Sequence, residues 1–505
     1  MQRPTTLSAL LAIGADNAIA ISAPDAVPLT YAQLRHTVAQ AGISLRQANI
    51  GATDRVAIVL PNGPEMAVAF VSIAAHAASA PLNPAYRADE FEFYLSDLNA
   101  KAMLVEHGST SPAIAVAKKL NIQILVLQPG DAGAGSFTIE TQSAPGQTNK
   151  TEPGPDDVAL ILHTSGTTSR PKIVPLSQAN ICASACNVRD NLRLSAADRG
   201  LAIMPLFHIH GLIAGLLAPL AAGGQIFCSP GFNALRFFNW MSEAKPTWYT
   251  AVPTMHQTIV ARAANNSDVI AANPLRFIRS SSSSMPPQVI HEIEQIFNTP
   301  LIESYGMTEA AHQMASNPLP PAKRIPGTVG IAAGPDIAIM DVDGKLLARS
   351  ETGEIVIRGV NVTAGYENNP AANATAFTDG WFRTGDQGVM DAEGYLSITG
   401  RLKEIISRGG EKISPREVDE ILMDHPAVAQ VVTFGMPHDK LGEEVAAAVV
   451  LREGQQVSEK ELRQFAAIKL ADYKVPRKIL FLDEIPKGAT GKLQRIGLAA
   501  KLGLG

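Results

Sequence analysis

From residue 55 onward, short apolar runs alternate with segments of helix length, and this rhythm constrains the fold more than any other feature of the chain. Residues 55–60 read as a buried strand, Pro61-Asn62-Gly63-Pro64 as a turn, 65–78 as a helix, and 102–105 and 122–127 as further strands. Strands spaced by helices build parallel sheets with helices on their faces, an α/β architecture. A stretch rich in Pro, Gly, Ser and Thr at 143–155 has the character of a surface linker between two α/β halves, and a strand follows at 158–163. Strands at 247–252, 276–279 and 301–305 predict a second sheet of the parallel type. After Pro326 the texture changes to short strands and glycine turns, as at 336–340 and 354–358, which predicts a small β-rich subdomain. Beyond a boundary near 402 come a helix at 415–423, strands at 429–434 and 445–451, a helix at 459–470 and a strand at 478–482. The expected division is a large domain over 1–400 and a small α+β domain over 403–505.

At roughly 150 residues per domain, 505 residues make two to four folding units. Hydrophobic residues at 46% and charged residues at 18% exclude a largely disordered or fibrous chain. Lys and Arg number 42 against 47 Asp and Glu, a net charge of −5 without long single-sign runs. That balance predicts neither a nucleic-acid groove nor a membrane-binding patch, and leaves small molecules as partners. Three cysteines, Cys182, Cys186 and Cys228, are too few for a disulfide framework or a four-cysteine zinc site. A reducing, cytoplasmic location is expected. Residues 7–13 are apolar but too few for a signal segment, no apolar run reaches 18 residues, and the terminal Leu-Gly-Leu-Gly matches no peroxisomal address. Cys182 and Cys186 lie four apart on an expected helix, where they share one face and pack.

The segment with most chemistry is Thr164-Ser165-Gly166-Thr167-Thr168-Ser169-Arg170-Pro171-Lys172, directly after a buried strand. Hydroxyls and backbone N–H groups in such a turn can wrap phosphate oxygens, with the lysine as compensating charge. Pro171 before Lys172 separates it from the Gly-Lys-Ser/Thr ending of a P-loop. Alone it would read as a solvated turn. Three further segments accompany it: Tyr305-Gly306-Met307-Thr308-Glu309 after a strand, Thr384-Gly385-Asp386 after Gly380-Trp381-Phe382, and Pro486-Lys487-Gly488-Ala489-Thr490-Gly491-Lys492.

Together these four ordered motifs resemble the adenylate-forming superfamily of acyl-CoA synthetases, firefly luciferases and peptide-synthetase adenylation domains, over essentially the whole chain. The run 163–172, with Ser169 where most members carry glycine, and the segments 205–211 and 247–257 look most like oxalate-CoA ligases. The resemblance implies a mobile C-terminal domain and a reaction of an acid, ATP and coenzyme A through an acyl adenylate, with Mg²⁺. It places Thr164, Ser165, Gly166, Thr167, Thr168 and Lys172 on the β- and γ-phosphates, Thr308 on the α-phosphate and Glu309 on the metal. Ser282 and Tyr305 would complete the nucleotide site, and Asp386 and Arg401 would hold the ribose. Lys492 would bridge the acid and the α-phosphate during adenylation. Rotation about a hinge at Lys403 would then bring Gly410 and Glu411 forward for thioester formation.

Where fatty acyl-CoA synthetases usually carry a Gly-Gly-Ala-Pro turn, this chain has Ser281-Ser282-Ser283-Ser284, which disfavours a greasy tunnel. His208, His210, Ser281 and His312 are the candidates for meeting a second carboxylate, since histidine can donate a hydrogen bond in either charge state. A His-x-His pair is also a metal-ligand pattern, but no acidic or cysteine partner is nearby in sequence. Oxalate is the expected acid, with malonate or a short or medium-chain fatty acid as the alternative.

Overall fold

The computed structural model describes residues 3–141, 152–164, 171–486 and 494–504. Two large sheets, two five-stranded sheets and their helices make up the described chain. The first large sheet has seven strands in the order Phe137–Thr141, Gln123–Pro129, Ala102–Glu106, Arg55–Val59, Ala78–Pro81, Val158–Thr164 and Lys172–Ser177. Its centre is parallel and its two outer pairs are antiparallel. Val56, Ala57, Ile58 and Val59 are all buried, as a central parallel strand covered on both faces requires. The helix Pro64–Ala74 starts on a proline at its first position and is buried all round from Met66 to Ala74, so it lies inside the layer stack.

Two expectations fail here. The helix predicted over 65–78 ends at Ala74, and Ala78–Pro81 is a fully buried strand between its neighbours. Small residues such as Ala78, Ser79 and Ala80 carry no periodicity and have a helical propensity, yet a strand closely packed on both faces accepts them. The stretch 143–155 is also not a boundary between sheets. Val158–Thr164 returns to the first sheet, where Leu160 pairs with Ser79, so the same sheet continues on both sides of the polar stretch. Most of the stretch, 143–151, lies outside the described residues.

The second large sheet has nine strands, in the order Ile331–Ala332, His312–Ser316, Leu301–Met307, Phe277–Ser280, Trp248–Ala251, Arg199–Ala202, Gln225–Cys228, Ile19–Ser22 and Leu29–Thr30. It is parallel from Leu301–Met307 to Ile19–Ser22. Trp248 and Phe277, on neighbouring strands and 1% and 0% exposed, pack with ring centroids 5.3 Å apart and planes tilted by 31° on one face of it. The expected β-rich subdomain is present as Asp336–Met340, Thr352–Arg358, Phe377–Thr378, Trp381–Met390 and Leu396–Arg401.

The C-terminal unit carries a five-stranded sheet in which Gly442–Leu451 is central and forms a hairpin with the edge strand Val428–His438, both longer than expected. Helices Pro415–Met423 and Glu459–Lys469 and the strand Lys478–Phe481 fall within one residue of their predicted limits. Cys182 and Cys186 are buried on the helix Gln178–Asn191. Among the described residues no helix is long and apolar enough to cross a membrane.

The strand Leu301–Met307 ends the parallel run close to the C-terminal unit. Its Glu303 is 8% exposed, accepts the Gly327 N–H at 3.1 Å, and has Arg324 together with Arg416 and Glu420 of the C-terminal unit as charged neighbours. Burial pushes this carboxyl up to about 8 from its ordinary 4.5. Between those two values the folded chain keeps a proton that the unfolded chain has lost, so stability falls as pH rises through the window. Thermal melts of wild type should therefore decline from pH 5 to pH 8, and Glu303→Gln should remove that decline.

Candidate active site

The second sheet places its site residues at the carboxyl ends of adjacent parallel strands: Thr250, Arg279 with the serines that follow it, and Tyr305. Open α/β sheets bind ligands at that edge. The strand after Tyr305 turns back tightly. Thr308–Ala310 forms one short helical turn, Ala311 and His312 take φ of +45° and +92°, and His312–Ser316 then runs antiparallel to its parent strand. Gly306 permits this, since a Cβ there would lie 1.6 Å from the His312 carbonyl oxygen. The consequence is that His312 points back over the sheet edge.

There it meets a residue that sequence analysis did not single out. Arg279 is 0% exposed in the strand Phe277–Ser280. One terminal nitrogen reaches Thr250 Oγ1 at 3.2 Å and His210 Nε2 at 3.3 Å; the other reaches His312 Nε2 at 2.9 Å and Gln313 Oε1 at 3.0 Å. A guanidinium only donates, so both Nε2 atoms are acceptors and both imidazoles are neutral with the proton on Nδ1. His210 Nδ1 accordingly donates to Ser282 Oγ at 3.0 Å, and the two imidazole rings stack at 4.9 Å. Thr250 Oγ1 lies 2.7 Å from His210 Nε2. With a guanidinium on its Nε2, His210 is no metal ligand.

Among the described residues, every partner of this guanidinium is neutral, and its Nε and the Gln313 amide nitrogen have none. Burial alone lowers the Arg279 pKa to about 9. A cation buried without a counter-charge costs several kcal/mol, so the pocket favours an anion. The two serines sit in different surroundings. Ser281, expected on the acid, is 1% exposed and spends its hydroxyl on the Ser304 carbonyl at 3.1 Å, fastening two strand ends. Ser282, expected on the nucleotide, has φ +73° and faces His210. His208 is half-buried with its ring 4.6 Å from that of Phe207.

A second group forms where the β-rich subdomain meets Tyr305. Asp386 and Arg401 are paired across two antiparallel strands, with Arg401 Nε 3.0 Å from Asp386 Oδ1. Tyr305 donates its hydroxyl to Asp386 Oδ2 at 2.5 Å. Gly385, at φ +74°, supplies the turn that sets Asp386 inward. A carboxylate held this way keeps lone pairs for a diol, the chemistry of a ribose.

The third group lies on the first sheet. Thr164 and Lys172 are register partners on adjacent antiparallel strands, and Ser165, Gly166, Thr167 and Thr168 lie outside the described residues. Thr164 Oγ1 is buried with no hydrogen-bond partner among the described residues. The Lys172 ammonium sits 3.9 Å from the centroid of the Tyr366 ring, and Tyr366 donates its hydroxyl to Glu309 Oε1 at 2.8 Å. Burial pushes the Glu309 carboxyl up against the pull of Tyr366 and Lys172. The Lys172 ammonium is pushed down by burial, with the charge of Lys403 adding to this and that of Glu309 opposing it. Thr308 is half-buried beside Glu309. An orphaned hydroxyl, an ammonium and a carboxylate suit phosphate oxygens and a hard cation.

Lys403 is exposed between Arg401 and the first strand of the C-terminal unit, Ile406–Arg408. Gly410, at φ +95°, and the exposed Glu411 turn that strand into Glu411–Ile413. Lys492 lies outside the described residues.

Residues 14–367 match the model of the AMP-binding enzyme family and 417–492 that of the AMP-binding enzyme C-terminal domain. The chain belongs to the AMP-binding enzyme family, the adenylate-forming group its four motifs resemble. It is 44% identical over 485 residues to an oxalate-CoA ligase of Arabidopsis thaliana, covering 94% of each chain. To an oxalate-CoA ligase of Saccharomyces cerevisiae it is 41% identical over 515 residues, covering 95% of this chain and 94% of that one. The crystal structure of ATP-bound MatB from Rhodopseudomonas palustris superposes with a TM-score of 0.88 at 28% identity, covering 99% of both chains.

Proposed function

We propose that the chain is an ATP-dependent oxalate-CoA ligase, converting oxalate, ATP and coenzyme A into oxalyl-CoA, AMP and pyrophosphate. The observation that carries the reading is the buried Arg279 guanidinium, surrounded by neutral donors and acceptors and lacking an anion. Oxalate offers one carboxylate to ATP and leaves the other as a full charge only a short distance away. Arg279, with His312 and His210 beside it, neutralises that charge; the two likenesses to oxalate-CoA ligases support the same acid.

In the first step a carboxylate oxygen attacks the α-phosphorus while the bond to pyrophosphate breaks, so charge is met on both sides of phosphorus. Thr164 and Lys172, with Ser165, Gly166, Thr167 and Thr168, hold the departing phosphates, and Thr308 holds the α-phosphate. Asp386, with Tyr305 and Arg401, fixes the ribose, and Ser282 orients His210. Glu309 is the ligand for Mg²⁺, which when bound neutralises phosphate charge. Lys492 spans the carboxylate and the α-phosphate. In the second step the CoA sulfur attacks the adenylate carbonyl and AMP leaves.

The two steps share one site through two orientations of a mobile domain, 403–505, against 1–400, with Gly410 and Glu411 serving the second. Proline fixes φ and blocks a backbone rotation. Lys403→Pro is therefore expected to keep ATP–pyrophosphate exchange and lose oxalyl-CoA formation, measured side by side; normal thioester yield would place the hinge elsewhere. The reading as a whole is tested by CoA-dependent AMP release with oxalate, malonate, acetate and octanoate. Oxalate should be used best, and better use of malonate or octanoate would overturn the acid assignment.

A further inference from the structure

Lys172, half-buried, and Glu309, 6% exposed, carry opposite charges on neighbouring elements, and side chains so placed tend to close on one another. They form no direct ion pair: each is engaged by Tyr366 instead, with the ammonium on its ring face at 3.9 Å and the carboxylate on its hydroxyl at 2.8 Å. Tyr366 is 8% exposed and held from behind. Its backbone N–H donates to Asn373 Oδ1 at 2.8 Å and its carbonyl accepts from Asn373 Nδ2 at 2.7 Å. The next residue, Glu367, bonds the first sheet through its N–H to the Ile173 carbonyl at 3.1 Å and pairs with Arg55 at 2.6 Å. On the other side the Glu309 carbonyl accepts the Thr363 N–H at 2.7 Å. The segment 363–367 that carries the tyrosine is thus fastened both to the strand Lys172–Ser177 and to Glu309.

We propose that Tyr366 is a positioning residue that keeps the phosphate lysine and the metal carboxylate apart and correctly aimed before nucleotide binds. This rests on the roles given above to Lys172 and Glu309. A direct Lys172–Glu309 pair would have to be broken by every incoming ATP, and each group would then be less available to its own ligand. The aromatic face stabilises the ammonium without using up its charge, and the phenol takes one carboxylate oxygen while leaving the other. The ring and the hydroxyl therefore make separable contributions.

The test uses the full-length enzyme with Tyr366→Phe and Tyr366→Leu. ATP affinity is read by calorimetry, Mn²⁺ affinity in the presence of ATP by the electron paramagnetic resonance of free Mn²⁺, and kcat and KM for each substrate by AMP release. Phe keeps the spacer and should weaken Mn²⁺ binding only about two- to fivefold, as the loss of one hydrogen bond would. Leu removes the spacer and should weaken both ATP and Mn²⁺ binding by about tenfold or more, and raise KM for ATP more than KM for oxalate. In a Lys172→Met background no ion pair can form, so Phe and Leu should then bind Mn²⁺ alike. The proposal is overturned if Leu is no worse than Phe in the wild-type background, if the difference survives Lys172→Met, or if Leu raises KM for oxalate as much as for ATP. Should Leu fail to fold, Tyr366→Met is read against the same outcomes. Lys172→Met and Glu309→Gln report on the underlying reading: unchanged ATP and Mn²⁺ affinity in these two would overturn the assigned roles themselves.

Discussion

Lys492→Ala is expected to abolish adenylate formation, lowering ATP–pyrophosphate exchange by about 10²- to 10³-fold or more, while CoA still attacks a supplied oxalyl adenylate at the wild-type rate. The asymmetry follows from where charge develops. In the first step a carboxylate approaches a polyphosphate, and an ammonium between them stabilises the transition state more than the ground state. In the second step a thiolate meets a neutral acyl carbonyl and AMP departs, and nothing in that step calls for the same cation. Three residues on, Arg495 bonds Glu404 at 3.1 Å and also pairs with Asp419 of the helix Pro415–Met423. The segment after Lys492 is thereby tied to the residue following Lys403, so rotation about that joint carries the chain end with it. Equal loss in both half-reactions would count against a lysine used in one orientation only.

Most of the architecture was legible because long apolar alternation leaves few choices: a strand such as Arg55–Val59 and a helix such as Glu459–Lys469 each announce themselves. Ala78–Pro81 did not, since its small side chains carry no pattern and only its neighbours make it a strand. The motifs drew attention to Thr308, Glu309, Asp386 and Lys172 because phosphate and ribose chemistry need those residue types in fixed local order, and the structure brings Lys172 and Glu309 to one tyrosine and Asp386 to Tyr305 and Arg401. Arg279 and Tyr366 belong to the site through the fold. Arg279 sits within Phe277–Ser280, where the available signal was a charge inside an otherwise buried strand. Its four partners come from Thr250, His210, His312 and Gln313, none adjacent to it in sequence. Histidines were expected to meet the acid; the structure adds that His210 and His312 each turn Nε2 toward the guanidinium of Arg279.

That difference sets the expectation for specificity. Arg279→Met should leave stability unchanged or raise it, because it replaces a buried cation lacking a counter-charge with an apolar side chain of similar length. The same substitution should reduce kcat/KM for oxalate by about 10²- to 10³-fold, the cost of leaving a buried carboxylate without its partner, at roughly 3–4 kcal/mol. Acetate brings no second charge, so its already poor use should change little, and the ratio between the two acids should collapse. Arg279→Lys should recover only part of the loss, since an ammonium cannot engage Thr250, His312 and Gln313 in the fixed directions of a guanidinium. His312→Ala removes one acceptor that aims Arg279 and should raise KM for oxalate while KM for ATP stays near wild type. Thermal melts and a two-acid kinetic comparison decide the matter together. A variant that melts higher yet loses oxalate identifies Arg279 as a group kept for binding at a cost to folding. A variant that melts far lower, or loses oxalate and acetate to the same extent, would make Arg279 a structural residue and remove the main physical support for oxalate as the acid.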